Sequence, residues 1–133
     1  MLLYIVRHGK ATDAPQPLDR FPRPEGYPDD FNRPLTARGE AQARYLSEHL
    51  ADPEHRIGVV LTSRYPRALQ TAEIISKSLG AELKTVRELE VDHSVGEALR
   101  LIEEHQGPRA LMFVGHNPQL GELVGVLCQG VTP

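Results

Sequence analysis

The sequence has 133 residues, enough for one domain around one core, and its 40% apolar and 25% charged content is that of an ordinary globular chain. With 15 basic and 18 acidic residues the formal net charge is −3, which argues against nucleic acid or an anionic membrane as partner and confines any anion site to a local cluster of Arg and His. The single Cys128 excludes an internal disulfide and a thiolate metal cage; the apolar N-terminal run is too short for a bilayer and lacks a signal-peptide cleavage pattern, so the expected location is the cytoplasm.

Leu2-Leu3-Tyr4-Ile5-Val6 reads as a short buried strand that ends in Arg7-His8-Gly9. Such an end is where open α/β sheets bind ligands, and Gly9 permits a sharp turn or a close approach. His8 suits nucleophilic, acid–base or metal chemistry, and Arg7 suits an oxyanion. Residues 11–35 hold six of the 11 prolines and no helical or strand period, so a long irregular loop follows, either hanging over the site or forming a tolerated surface insertion. Thr36 is the expected N-cap of a helix over 37–50 with an Ala43, Leu46, Leu50 stripe, stopped by Asp52-Pro53.

Ile57 to Thr62 is a second strand, running into Ser63-Arg64-Tyr65-Pro66-Arg67, with Pro66 in the first turn of a helix that carries Ala68, Ala72, Ile75 and Leu79 on one face and stops at Gly80. Leu83–Val86 is a weaker third strand. Ser94-Val95-Gly96-Glu97 reads as a capping box for a helix with Val95, Ala98, Leu99 and Ile102 on one side, ended by Gly107-Pro108. Ala110–Val114 is a fourth buried strand, delivering Gly115-His116-Asn117-Pro118. Asn117 is the expected N-cap and Pro118 the first residue of a last helix carrying Leu120, Leu123, Val124 and Leu127. The alternation of strands and helices predicts an α/β fold, a three-layer α/β/α with a mostly parallel central sheet. No strand follows the last helix, so a sheet edge is expected to stay unpaired.

Three strand ends therefore carry matching chemistry. Arg7-His8-Gly9, Ser63 with Arg67, and Gly115-His116 fall on one side of a parallel sheet, with two helix N-termini beside them, and a phosphoryl group is the natural occupant. Arg7-His8-Gly9, the run Thr62 to Ala72 (TSRYPRALQTA) and Val114-Gly115-His116-Asn117-Pro118, with Pro34 to Gly39 (PLTARG) as a further segment, resemble the histidine phosphatase (phosphoglycerate mutase-like) superfamily, most of all its SixA-type phosphohistidine phosphatases. The resemblance covers nearly the whole chain and implies one domain over 1–133, lacking C-terminal sheet elements that family members normally have.

It also implies a metal-independent phosphatase without cofactor. His8 would attack phosphorus, and its other ring nitrogen would donate to a backbone carbonyl. Neighbouring arginines would keep it neutral. Arg7, Arg67 and His116, with Gly9 alongside, would hold the phosphoryl oxygens. The proton donor is open: Asp30 and Arg33 in the proline-rich loop and Glu90, Asp92 and His93 after the third strand are candidates for acid or rim, each weighed against a solvated loop charge. Arg38, Arg64 and Gln70 read as rim or cap residues, and His49, His55 and His105 as surface histidines. The expected partner is a phosphorylated protein, because no insertion after the second or third strand roofs the pocket, and an open site suits a tethered phosphohistidine. A small phosphomonoester is the alternative substrate, and a non-catalytic phosphate-sensing module the alternative class. The sequence leaves the oligomeric state open.

Overall fold

The computed structural model describes residues 2–16, 21–51, 56–107 and 110–128. Four parallel strands, β1 (Leu2–Arg7), β2 (Val59–Thr62), β3 (Glu82–Thr85) and β4 (Ala110–Gly115), form one sheet in the order β1-β4-β2-β3. Four helices alternate with them: α1 (Ala37–His49), α2 (Pro66–Leu79), α3 (Val95–Glu104) and α4 (Gln119–Leu127).

Strand periodicity sorts the core into two layers. Val60, Met112 and Val114 point to one face, where Ala68, Ala72 and Ile75 of α2 and the partly buried Leu46 and Leu50 close over them. Val59, Leu61, Leu111 and Phe113 point to the other, under Ala98 and Leu101 of α3 and Leu120 and Leu123 of α4. The expected three-layer α/β/α arrangement follows. The chain steps outward from β1 to β3 with α1 and α2 on one face, then returns through α3 on the other, which inserts β4 between β1 and β2. Constant crossover handedness links the reversal of direction to the change of face.

The helix boundaries have local causes. Thr36 caps α1 by accepting from the Gly39 amide at 3.1 Å. Pro66 opens α2 where its missing N–H has no partner to lose, and Gly80 closes it at φ 68°. Both halves of the Ser94–Glu97 capping box are formed. Several expectations need correction. β2 begins at Val59 rather than Ile57, and β3 runs one residue earlier than expected. Leu101, absent from the expected α3 stripe, is that helix's most buried leucine. Pro118 is the N-cap of α4, not its first residue; Asn117 stands one position earlier and still accepts from the Gly121 amide at 3.2 Å. Val124 and Leu127 are exposed, because only the Leu120 and Leu123 side of α4 meets the sheet.

The described part of the proline-rich stretch is more ordered than its composition suggests. A bridge between Ala11 and Leu35 pins its base, and a 3-10 turn over Asp29–Phe31 buries Phe31. The expected stops at Asp52-Pro53 and Pro108, His55, loop residues 17–20 and the end from 129 lie outside the described residues. Among the described residues no helix is long and apolar enough to cross a membrane.

Candidate active site

In register, Arg7 lies opposite Gly115 and Thr62 opposite Val114. The next residues, His8, His116 and Ser63, therefore leave three adjacent strands at the same edge. The His8 and His116 rings sit 5.2 Å apart between centroids. Arg7, His8 and Gly9 share a cavity of about 380 Å³ with Lys10, Asp13 and Arg33.

The His8 ring is held by its own turn. Its Nδ1–H donates to the Gly9 carbonyl at 2.7 Å, so Nε2 carries the free lone pair. The Gly9 N–H donates to Thr71 Oγ1 at 3.0 Å, and Thr71 donates to the Arg67 carbonyl at 2.8 Å. The peptide that anchors the ring is thus clamped to the helix that carries Arg67. Its other side meets α1 backbone to backbone: a Cβ on Gly9 would lie 2.7 Å from the Gly39 oxygen, and one on Gly39 only 2.2 Å from the Lys10 oxygen. His8 has its pKa lowered to about 4. Burial is the largest cause; the Gly9 bond opposes it, and Arg67, Arg7 and Arg33 add to it, so the arginines are secondary to desolvation.

His116 is 4% exposed, and its pKa is lowered to about 3 by burial first, then by Arg67, His8 and Arg7. Its Nε2 lies 2.8 Å from Ser63 Oγ, which accepts from the Tyr65 amide at 3.1 Å. The hydroxyl proton of Ser63 then has His116 Nε2 as its acceptor, which leaves the neutral ring's proton on Nδ1. That buried Nδ1–H has no hydrogen-bond partner among the described residues, so it is a donor ready for an oxyanion.

Arg67 is 6% exposed; burial pushes its pKa down, and Asp30 opposes the shift. Asp30 Oδ2 lies 3.6 Å from Arg67 Nη2, and Oδ1 is 3.0 Å from Arg33 Nη1. The loop reaches the site through this pair and through rings: Tyr27 and Phe31 pack on Tyr65, which packs on His116. It is a wall of the site, as the first of the two readings of this loop has it, while Arg7, Lys10 and Asp13 stay exposed at the mouth.

Glu90 also departs from expectation. Instead of a solvated charge it is 5% exposed, accepting from the Tyr27 hydroxyl at 2.7 Å, with Arg64 Nε 3.5 Å away. Asp92 is exposed, with a positive φ of 67°. The Nδ1 of His93 pairs with Glu97 at 2.6 Å. Gln70 accepts from the Leu35 amide at 2.7 Å, fastening the loop base, so it belongs to the scaffold and not the rim. Thr71, Gly39 and Gln119 join the site without standing out in the sequence as site residues. Thr71 alone had a local signal, lying four residues after Arg67 on one helix face.

The model of the histidine phosphatase superfamily (branch 1) matches residues 3–122. An uncharacterised protein of Picosynechococcus is 34% identical over 135 residues, covering 99% of this chain and 76% of that one. The phosphohistidine phosphatase SixA of Escherichia coli is 30% identical over 137 residues, covering 100% and 78%. A solved structure of the protein histidine phosphatase SixA complexed with tungstate superposes with a TM-score of 0.78 at 28% identity, covering 100% of this chain and 80% of that one.

Proposed function

This chain belongs to the histidine phosphatase superfamily, and from that premise we propose a phosphatase that acts through a phosphohistidine formed on His8, with phosphohistidine on a protein as substrate. The observation that carries the reading is the Nδ1–H bond of His8 to the Gly9 carbonyl, which turns a neutral Nε2 lone pair toward a site of cationic and N–H donors. The Nε2 atom bonds to phosphorus as the bond to the leaving group breaks, and water then hydrolyses the phosphoenzyme. Arg7, Arg67 and the Nδ1–H of His116 hold the equatorial oxygens, where charge spreads in a loose transition state. Gly9 supplies the carbonyl that fixes the His8 ring, and the side on which a Cβ would stand faces Gly39 rather than the phosphoryl group. The likeness to the phosphohistidine phosphatase of Escherichia coli supports the substrate class. So does the exposure of Arg7, Lys10 and Asp13 at the mouth, which admits a phosphoryl group attached to a macromolecule.

The test is turnover of a phosphohistidine peptide beside a panel of phosphomonoesters, with trapping of labelled phosphate on the protein. Native protein is expected to prefer the peptide and to form an acid-labile, base-stable adduct. His8→Ala is expected to lose turnover and adduct while keeping the native circular dichroism. Trapping undiminished in that variant moves the nucleophile elsewhere, and a clear preference for small phosphomonoesters makes the chain a general phosphatase.

A further inference from the structure

His116 also lines a second cavity of about 270 Å³, together with Glu90, Asp92 and Gln119 among others. Four buried side-chain atoms lack a hydrogen-bond partner among the described residues, and three of them, His116 Nδ1, Glu90 Oε2 and Gln119 Oε1, belong to this lining. These three residues are 4%, 5% and 4% exposed. Unpaired buried polar atoms are costly and rare, so three around one cavity point to a polar ligand.

Their chemistry is determined by what their other atoms do. Gln119 Nε2 donates to the Glu88 and Ser94 carbonyls at 2.6 and 2.9 Å, so the amide has one orientation and its oxygen faces no partner. Glu90 Oε1 is taken by the Tyr27 hydroxyl. The Tyr27 phenol is held above its usual pKa by that bond first, as expected of a donor to a carboxylate. Arg64, at 3.5 Å from Oε2, balances the charge without making a hydrogen bond. The lining therefore offers one donor, on His116, and two acceptors, on Glu90 and Gln119.

We propose that this cavity is the leaving-group subsite, in which Glu90 Oε2 and Gln119 Oε1 hold the distal ring N–H of a phosphoramidate, a protonated phosphoimidazole. This rests on the phosphatase reading above. A phosphate ester brings no such donor, whereas a phosphohistidine ring protonated on its second nitrogen does. The step balances without an acid: His8 Nε2 forms the bond to phosphorus, the P–N bond breaks, and its electron pair returns to the leaving nitrogen. The distal N–H stays in place and the ring departs as neutral imidazole. The positive charge passes to the His8 ring, whose Nδ1–H is held by the Gly9 carbonyl in the same manner. Glu90 acts as an acceptor, not as the proton donor.

The experiment compares kcat/KM for phosphoimidazole and for p-nitrophenyl phosphate in native protein, Glu90→Gln and Gln119→Leu, with melting curves as folding controls. The phosphoimidazole to p-nitrophenyl phosphate ratio is expected to fall tenfold or more in each variant. A substrate-side arm needs no mutation: phosphoimidazole methylated on its distal nitrogen keeps the positive ring but has no N–H. Corrected for its spontaneous hydrolysis, it is expected to be used at least tenfold less efficiently by native protein. An unchanged ratio in folded variants, or equal use of the methylated compound, overturns the subsite while phosphatase turnover stands. Failure of native protein to hydrolyse any of the compounds overturns the phosphatase reading itself.

Discussion

Gly39→Ala separates helix propensity from tertiary packing, because the two predict opposite signs. Gly39 lies in the first turn of α1, where exchanging Gly for Ala is worth up to about 1 kcal/mol of added stability on propensity alone. Here the new Cβ would sit 2.2 Å from the Lys10 oxygen, 2.9 Å from the Lys10 nitrogen and 3.0 Å from Leu35 Cδ2, where ordinary contact begins at 3.4 Å. The first two are backbone atoms that no rotamer change can clear. Lys10 O also accepts from the Thr36 amide at 2.9 Å and from its hydroxyl at 3.1 Å, so moving it strains the cap of α1. Overpacking costs about 1–3 kcal/mol; a 2.2 Å approach to backbone lies at the top of that range, and less the helix gain of about 1 kcal/mol the expected net loss is about 2 kcal/mol. For a chain of this size that lowers Tm by about 8 °C. The displaced segment directly follows the Gly9 carbonyl that orients His8, and a misplacement of about 1 Å at a reacting group lowers kcat about 100-fold. Gly125→Ala is the control: it lies within α4 with nothing within 4 Å of its Cβ, so a rise of about 1 kcal/mol is expected. Thermal melts and single-turnover rates on both variants decide it. A Gly39→Ala protein with raised Tm and full kcat would refute the packing argument.

Four further expectations concern the site. The acid limb of kcat/KM should fall near pH 4, where His8 protonates, and a limb near 6.5 would show that burial does not set its charge state. Both histidines have folded pKa values below the ordinary 6.5, so between 6.5 and those values the unfolded chain binds protons the folded one does not. Their linked stability is fully present above 6.5 and is lost as pH falls toward 4 and 3, at about 1.4 kcal/mol per pH unit for each neutral histidine, measurable by urea titration. Ser63→Ala should lower kcat/KM about 10- to 100-fold by leaving His116 Nε2 unpaired; nitrogen NMR should show His116 losing its pure Nδ1–H tautomer, and an unchanged tautomer would reject the role. Asp30→Asn, by removing the carboxylate facing Arg67, should tighten inhibition by inorganic phosphate about fivefold, and weaker inhibition would show that Asp30 serves to position Arg67.

Most of the scaffold was legible in the sequence because its signals are local. The capping box at Ser94, the cap at Thr36, Pro66 at a helix start and Gly80 at a helix end each act within a few residues, and the apolar runs at Leu2–Val6 and Ala110–Val114 are unmistakable. A parallel sheet puts every strand's C-terminal end on one side, so even the grouping of Arg7, His8, Ser63, Arg67 and His116 followed from strand ends alone. The sequence by itself thus determined which residues meet at that edge. Only the tertiary structure decided how they meet. Placing β4 between β1 and β2 makes His8 and His116 neighbours, and no local pattern encodes strand order. The burial of Glu90 depends on Tyr27, 63 residues away in sequence, and the missing Cβ of Gly39 is explained by Lys10 across the α1 cap. Val124 and Leu127 carry the same helical period as Leu123 yet stay exposed, because periodicity reports a face and the packing of α4 on the sheet chooses how much of it is covered.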